Sequence, residues 1–159
     1  MNKCKEILNK YNIPNYYIKG HETVVDYEAA KRVDEKYGLT GLESKCLMLK
    51  TKSNKMVLFV TKIGTKMDKK FFKELLNEKT NICSSDELFD YSGYVAGCAS
   101  PFAYPDDLLY VVDNSIFESE KYICSAGDPH ESFEIETKYL KTIYDLLKVN
   151  VKYIDYNVE

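Results

Sequence analysis

Lys45 and the segment Gly93–Phe102, read GYVAGCASPF, hold the residues best suited to chemistry. Lys45 opens the apolar run KCLMLKT. From a core strand its ammonium can project into a cleft while the stem packs; the alternative is snorkelling to solvent. About fifty residues later, Gly97 lets backbone N–H groups approach a ligand with no Cβ in the way. Such groups hold a phosphate or a developing oxyanion, and a plain turn is the other reading. Cys98 is a conceivable nucleophile, but no partner pattern accompanies it, which favours inert packing. Ser100 precedes Pro101 and is biased to extended backbone; its hydroxyl lines a pocket or satisfies a turn. His21 and His130 are the only histidines, too few for most zinc sites. P-loop, dinucleotide GxGxxG, HExxH and GxSxG patterns are absent.

The 159 residues fit one domain, 1–159. Apolar residues make up 45%, ordinary for a soluble globular chain. No apolar run approaches the roughly 20 residues of a membrane span. The N-terminus MNKCKEILNKYNIP lacks the apolar stretch of a signal peptide, so the expected location is cytoplasmic. Five widely spaced cysteines form no CxxC pair, so no metal cluster is expected, and the cytosol would keep them reduced. Net charge is −3, but residues 1–79 carry 17 Lys and Arg against 10 Asp and Glu, and residues 80–159 carry 5 against 15. Such asymmetry marks a polyanion-binding face or simply a solvated surface.

Certain elements must position these residues. Cys4, Ile7, Leu8 and Tyr11 recur at helical spacing, and Pro14 ends that helix. NYYIK is a short strand that delivers His21. Asp26 caps a second helix that Gly38 stops. KCLMLKT and MVLFVTK read as strands joined by a turn at KSNK. Asp68 caps a helix that turns Phe71, Phe72, Leu75 and Leu76 inward, and Ser84 or Ser85 opens a short one. LLYVVD is apolar on both faces, as in a buried strand. KYICSAG and SFEIET are strands around GDPH. Thr137 caps a final helix, and VKYID is a last strand. This order predicts an α+β fold: a mixed, curled, barrel-like sheet flanked by helices.

Taken together, His21, EAA at 28–30, YGL at 37–39, Lys45 on its strand, SGYVAGCASPF, VVD ending at Asp113 and SAG ending at Gly127 resemble the YbaK/ProX family. These are aminoacyl-tRNA deacylases related to the editing insertion domain of bacterial prolyl-tRNA synthetases. The resemblance spans roughly residues 15–147 and rests most on the strand lysine and the G-x-x-x-P loop, Gly97–Pro101. It implies hydrolysis in trans of the ester on a mischarged tRNA, chiefly tRNA(Pro) carrying Cys or Ala. Lys45 and Gly97 would be catalytic. His21, Cys98, Ala99, Ser100, Pro101, Phe102, Asp113, Gly127 and His130 would bind substrate. No cofactor or metal is implied; the partners would be the tRNA acceptor end and prolyl-tRNA synthetase. Two positions depart from the pattern: Cys46 stands where many members have Thr, and Ala103 where many have Gly. Two other readings remain open. One is a non-catalytic module of the same fold that binds tRNA or a synthetase. The other is a small-molecule esterase using Cys98 or Ser100.

Overall fold

A computed structural model describes residues 2–157. Among them are five helices: α1 (Lys3–Lys10), α2 (Tyr27–Tyr37), α3 (Lys69–Leu76), α4 (Ser85–Ser92) and α5 (Tyr139–Leu147). The strands are β1 (Tyr16–Lys19), β2 (Leu42–Thr51), β3 (Met56–Lys62), β4 (Thr80–Ile82), β5 (Leu109–Asp113), β6 (Lys121–Ser125), β7 (Glu131–Glu136) and β8 (Asn150–Ile154). A 3₁₀ turn, Asn114–Glu118, follows β5.

Local chemistry sets the helix ends. Asp26 caps α2 through its carboxylate on Ala29 N–H, and Gly38, at φ 70°, ends it. Asp68 caps α3, and Ser84 with Glu87 forms a reciprocal capping box on α4. α5 departs from the sequence expectation: Lys138 occupies the cap position and makes no side-chain cap bond. The Thr137 hydroxyl instead donates to Ser119 O at 2.7 Å, tying the helix start to the end of the 3₁₀ turn.

The strands form one mixed sheet in the order β1-β7-β6-β2-β3-β5-β8, with β4 added to β2. β5 runs parallel to both β3 and β8, and β2 runs parallel to β6; the other pairs are antiparallel. The path is open, since β1 and β8 lie at opposite ends of it. The main core lies on one side, where Leu58, Tyr110, Phe102, Tyr122, Phe133 and Tyr144 are buried together. A second core lies under α3, where Phe72 meets Phe59 edge-on with ring centroids 4.9 Å apart. Each fully buried side chain of this size contributes about 1.5–3 kcal/mol.

One strand decides where a site can form. β2 is ten residues long, and β3 lines it continuously from Ser44 to Lys50. Its other edge meets β6 at Leu42–Glu43 and β4 at Leu49–Thr51. Between these two lies a gap in the ladder, and the glycine loop closes over it.

Candidate functional site

The loop after α4 is built by its glycines. Gly93, at φ 77°, ends α4. Cys98 N–H donates to Val95 O at 2.9 Å, and Gly97 within that turn has φ 85°. A left-handed third residue is what a type II turn requires. A Cβ on Gly97 would sit 2.9 Å from Val25 O. Two further bonds hold the loop to the β6–β7 turn: Gly127 N–H donates to Cys98 O at 2.9 Å, and Val95 N–H to Gly127 O at 3.1 Å.

This loop and the gap in β2 enclose a chamber of about 120 Å³. Gly97, Ala99, Cys46, Leu47, Met48 and Cys83 are among the residues that line it. Among the described residues, the N–H groups of Gly97 and Ala99 make no intramolecular hydrogen bond. The register adds a third polar element. Ile63 N–H bonds Glu43 O, so in this antiparallel ladder the peptide groups of Lys45 and Leu47 also turn to β3. Those of Cys46 turn into the gap.

Lys45 precedes Cys46 on β2, but its ammonium bonds Thr65 O, and Thr65 lines the separate cavity that Asp113 borders. Cys46 and Met48 pack into the main core, while Leu47 and Leu49 pack on the α3 side. Strand alternation therefore puts Lys45 on the same face as Leu47, which lines the chamber. The Lys45 side chain does not itself line it. Its ammonium donates to Thr65 O at 2.5 Å, and among the described residues no carboxylate lies within 4 Å of it. On the same face, Glu43 sits against Asp34. Burial, then the neighbouring carboxyl, pushes Glu43 well above the usual carboxylate range.

The other residues expected to bind substrate divide by place. Ala99 lines the chamber. Cys98 is buried, its thiol donates to Val24 O at 3.1 Å, and burial raises it to about 11, so it is no nucleophile at neutral pH. Ser100, Pro101 and Phe102 turn away from the chamber, because the chain dives inward after Ala99. The Ser100 hydroxyl donates to Phe102 O at 2.5 Å and accepts from Phe102 N–H and the Cys4 thiol. Pro101 O accepts from the Tyr144 hydroxyl at 2.6 Å, and Phe102 packs on Phe133 in the core. These three anchor the loop, and none of them lines the chamber.

His21 is likewise committed: its ring nitrogens lie 2.7 Å from Glu22 O and 2.8 Å from the Ser132 hydroxyl. His130 is exposed and lies 3.1 Å from His21 O through Nδ1. Asp113 is buried and caps the 3₁₀ turn through Ser115 N–H, accepting also from the Thr61 hydroxyl at 2.7 Å. It borders a different cavity, beside Thr65 and Lys66. Sequence reasoning missed Leu47, Met48 and Cys83 as lining residues. β2's alternation could have shown Leu47, whereas Cys83 depends on β4, which has no sequence signal.

Gly127 positions the loop and makes no wall of the chamber. Its φ is 85°, and a Cβ there would meet the Tyr94 ring at 2.1 Å. Tyr94 cannot yield, because it is buried and its hydroxyl donates to Ala103 O at 2.6 Å. Gly127→Ala is expected to destabilise the protein by about 3 kcal/mol, adding overpacking to left-handed strain. Urea unfolding checks this, and a loss under about 1 kcal/mol would contradict it. Ala103 has φ 73°, so the backbone keeps the left-handed shape that the glycine of the resemblance would adopt freely.

The open mixed sheet, with a glycine loop closing a gap beside a strand lysine, defines a fold found in solved structures. It is similar to the crystal structure of "hypothetical protein APE2540", with TM-score 0.77 and 15% identity over 94% of this chain and 96% of that one. It is also similar to that of "a putative trans-editing enzyme for prolyl tRNA synthetase", with TM-score 0.75 and 15% identity over 98% and 96%. No curated protein sequence matches. The family profile described as the aminoacyl-tRNA editing domain matches residues 19–143, and the chain belongs to that family.

Proposed function

We propose that this protein hydrolyses the ester linking a wrong amino acid to the terminal ribose of a tRNA, acting in trans, with tRNA(Pro) carrying Ala or Cys as substrate. The observation that carries this reading is the chamber at Gly97, with two free backbone N–H donors and no activated nucleophile. An aminoacyl ester is already reactive, so positioning and charge stabilisation supply most of what hydrolysis needs. A water adds to the ester carbonyl, and the N–H groups of Gly97 and Ala99 hold the resulting oxyanion. The C–O bond to the ribose then breaks, and the ribose oxygen takes up a proton. In this reading Lys45 turns its ammonium from Thr65 O, beside the Asp113 cavity, to the 3′-terminal phosphate or ribose at the chamber. The chamber's small size favours a side chain as short as that of Ala or Cys.

The test is a panel of mischarged tRNAs that includes Ala-tRNA(Pro) and Cys-tRNA(Pro). Release of the amino acid above the spontaneous rate on at least one is expected, with Cys98→Ala as active as the wild type. Full loss in Cys98→Ala would move the reading to a thiol esterase. Binding of tRNA without turnover on any member would select a non-catalytic module. Prolyl-tRNA synthetase is a proposed partner, checked by co-sedimentation with and without tRNA.

A further inference from the structure

The basic residues of the first half do not form one field. One group (Lys62, Lys66) borders the Asp113 cavity, where Asp68, Asp113 and Glu118 oppose it. The other group (Lys50, Lys52, Lys73, Lys79) lines a separate groove of about 790 Å³ between the β2–β3 hairpin, the end of α3 and β4. Its two carboxylates are already engaged. Glu87 accepts from Lys50 at 2.8 Å, and this bond, with Ser84 N–H, holds it down to about 2. Glu78 accepts from Ser53 N–H at 2.9 Å and lies 4.0 Å from Lys55. Among the described residues, Lys52, Lys73 and Lys79 have no carboxylate within 4 Å. All three are exposed, and Lys52 N–H bonds Lys79 O at 2.9 Å, which sets two of them side by side.

This groove and the chamber meet at one residue. Ile82 and Glu87 line the groove, while Ile82, Cys83 and Ser84 line the chamber, so the two share a wall at Ile82. Ile82 is 51% exposed at the end of β4, a strand paired only with β2. A large apolar side chain between a cationic groove and a chamber with free N–H groups offers a face for a base or a ribose. The cations before it suit phosphates. The Asp113 cavity has neither the charge balance nor a shared wall with the chamber.

We propose that the single-stranded 3′ end of the RNA enters along this groove, its phosphates on Lys52, Lys73 and Lys79, and a base or ribose on Ile82, before the terminal ester reaches Gly97. This rests on the reading that the chamber takes an aminoacyl ester. The groove therefore fixes the direction of approach: past the β2–β3 hairpin and β4, and not across the Lys62–Lys66 side.

The test is binding of uncharged tRNA, intact or lacking its four 3′ nucleotides, measured by fluorescence anisotropy over a salt series. The wild type, a Lys52→Gln/Lys73→Gln/Lys79→Gln triple variant and a Lys62→Gln/Lys66→Gln double variant are compared, with thermal melts to confirm folding. The triple variant is expected to bind at least about tenfold more weakly, and the log–log salt slope to fall by about 2, for three single-strand contacts at roughly 0.7 each. The double variant stays within about twofold, and removing the 3′ nucleotides weakens the wild type more than the triple variant. The proposal is overturned if the triple variant binds like the wild type, if the double variant loses more, if the shortened tRNA binds as tightly as the intact one, or if the wild type binds no tRNA. Deacylation is scored separately. Lysine-dependent binding by a protein that hydrolyses nothing keeps the groove and removes the deacylase reading. Undiminished hydrolysis with unchanged KM in the triple variant does the reverse.

Discussion

Lys45→Ala is expected to lower kcat for the proposed ester hydrolysis by about 100-fold and to leave the fold intact. The magnitude is that of removing one donor or charge from a site that stabilises developing negative charge. The fold should survive because, among the described residues, the ammonium makes one hydrogen bond, to Thr65 O, and no ion pair. Such a bond is worth about 1 kcal/mol. Lys45→Arg is expected to recover little, since a planar guanidinium does not replace a compact ammonium in a fixed space. Single-turnover hydrolysis with the protein in excess over the mischarged tRNA reads the effect on the chemical step. A loss of less than about fivefold would remove Lys45 from the catalytic machinery and leave it as a brace for the Gly64–Met67 loop.

Gly97→Ala is the second large effect, and it works by another route. The residue has φ 85°, and the new Cβ would lie 2.9 Å from Val25 O, which is backbone and does not swing away. Left-handed strain alone costs about 1–2 kcal/mol. The loop relieves it by shifting, and a shift near 1 Å in a positioned donor costs roughly 100-fold in rate. The expected outcome is a fall of that size in kcat/KM, with the melting temperature lower by about 2–8 °C. Cys98→Ala, one residue along, should cost little activity. Equal losses in the two variants would mean that the loop acts only through stability.

Much of the frame was legible because the relevant signals are local. Asp26 and Gly38 bound α2, and MVLFVTK coincides with β3. β4 was not legible: three residues, Thr-Asn-Ile, carry no period, and only pairing with β2 makes them a strand. Thr137 shows how a residue with cap chemistry can be claimed by a tertiary partner, here Ser119 O. In the site, Gly97 was legible because a left-handed turn needs it. Ser100, Pro101 and Phe102 lie off the chamber wall, because adjacency in a motif says nothing of the point where the chain turns inward. Asp113 and His21 carry the residue types of a site, yet their bonds to Thr61, Ser115 and Ser132 spend them on structure.

The gap in β2 has a consequence for inheritance. Three polar features of the chamber (the Gly97, Ala99 and Cys46 peptides) belong to the main chain, which every side-chain substitution leaves in place. Mutation at position 46, 48 or 99 can resize the chamber without erasing its hydrogen-bonding groups. On the proposed function, a lineage can thus exchange one small amino acid for another in a few steps, while the main-chain donors of the site are carried forward unchanged.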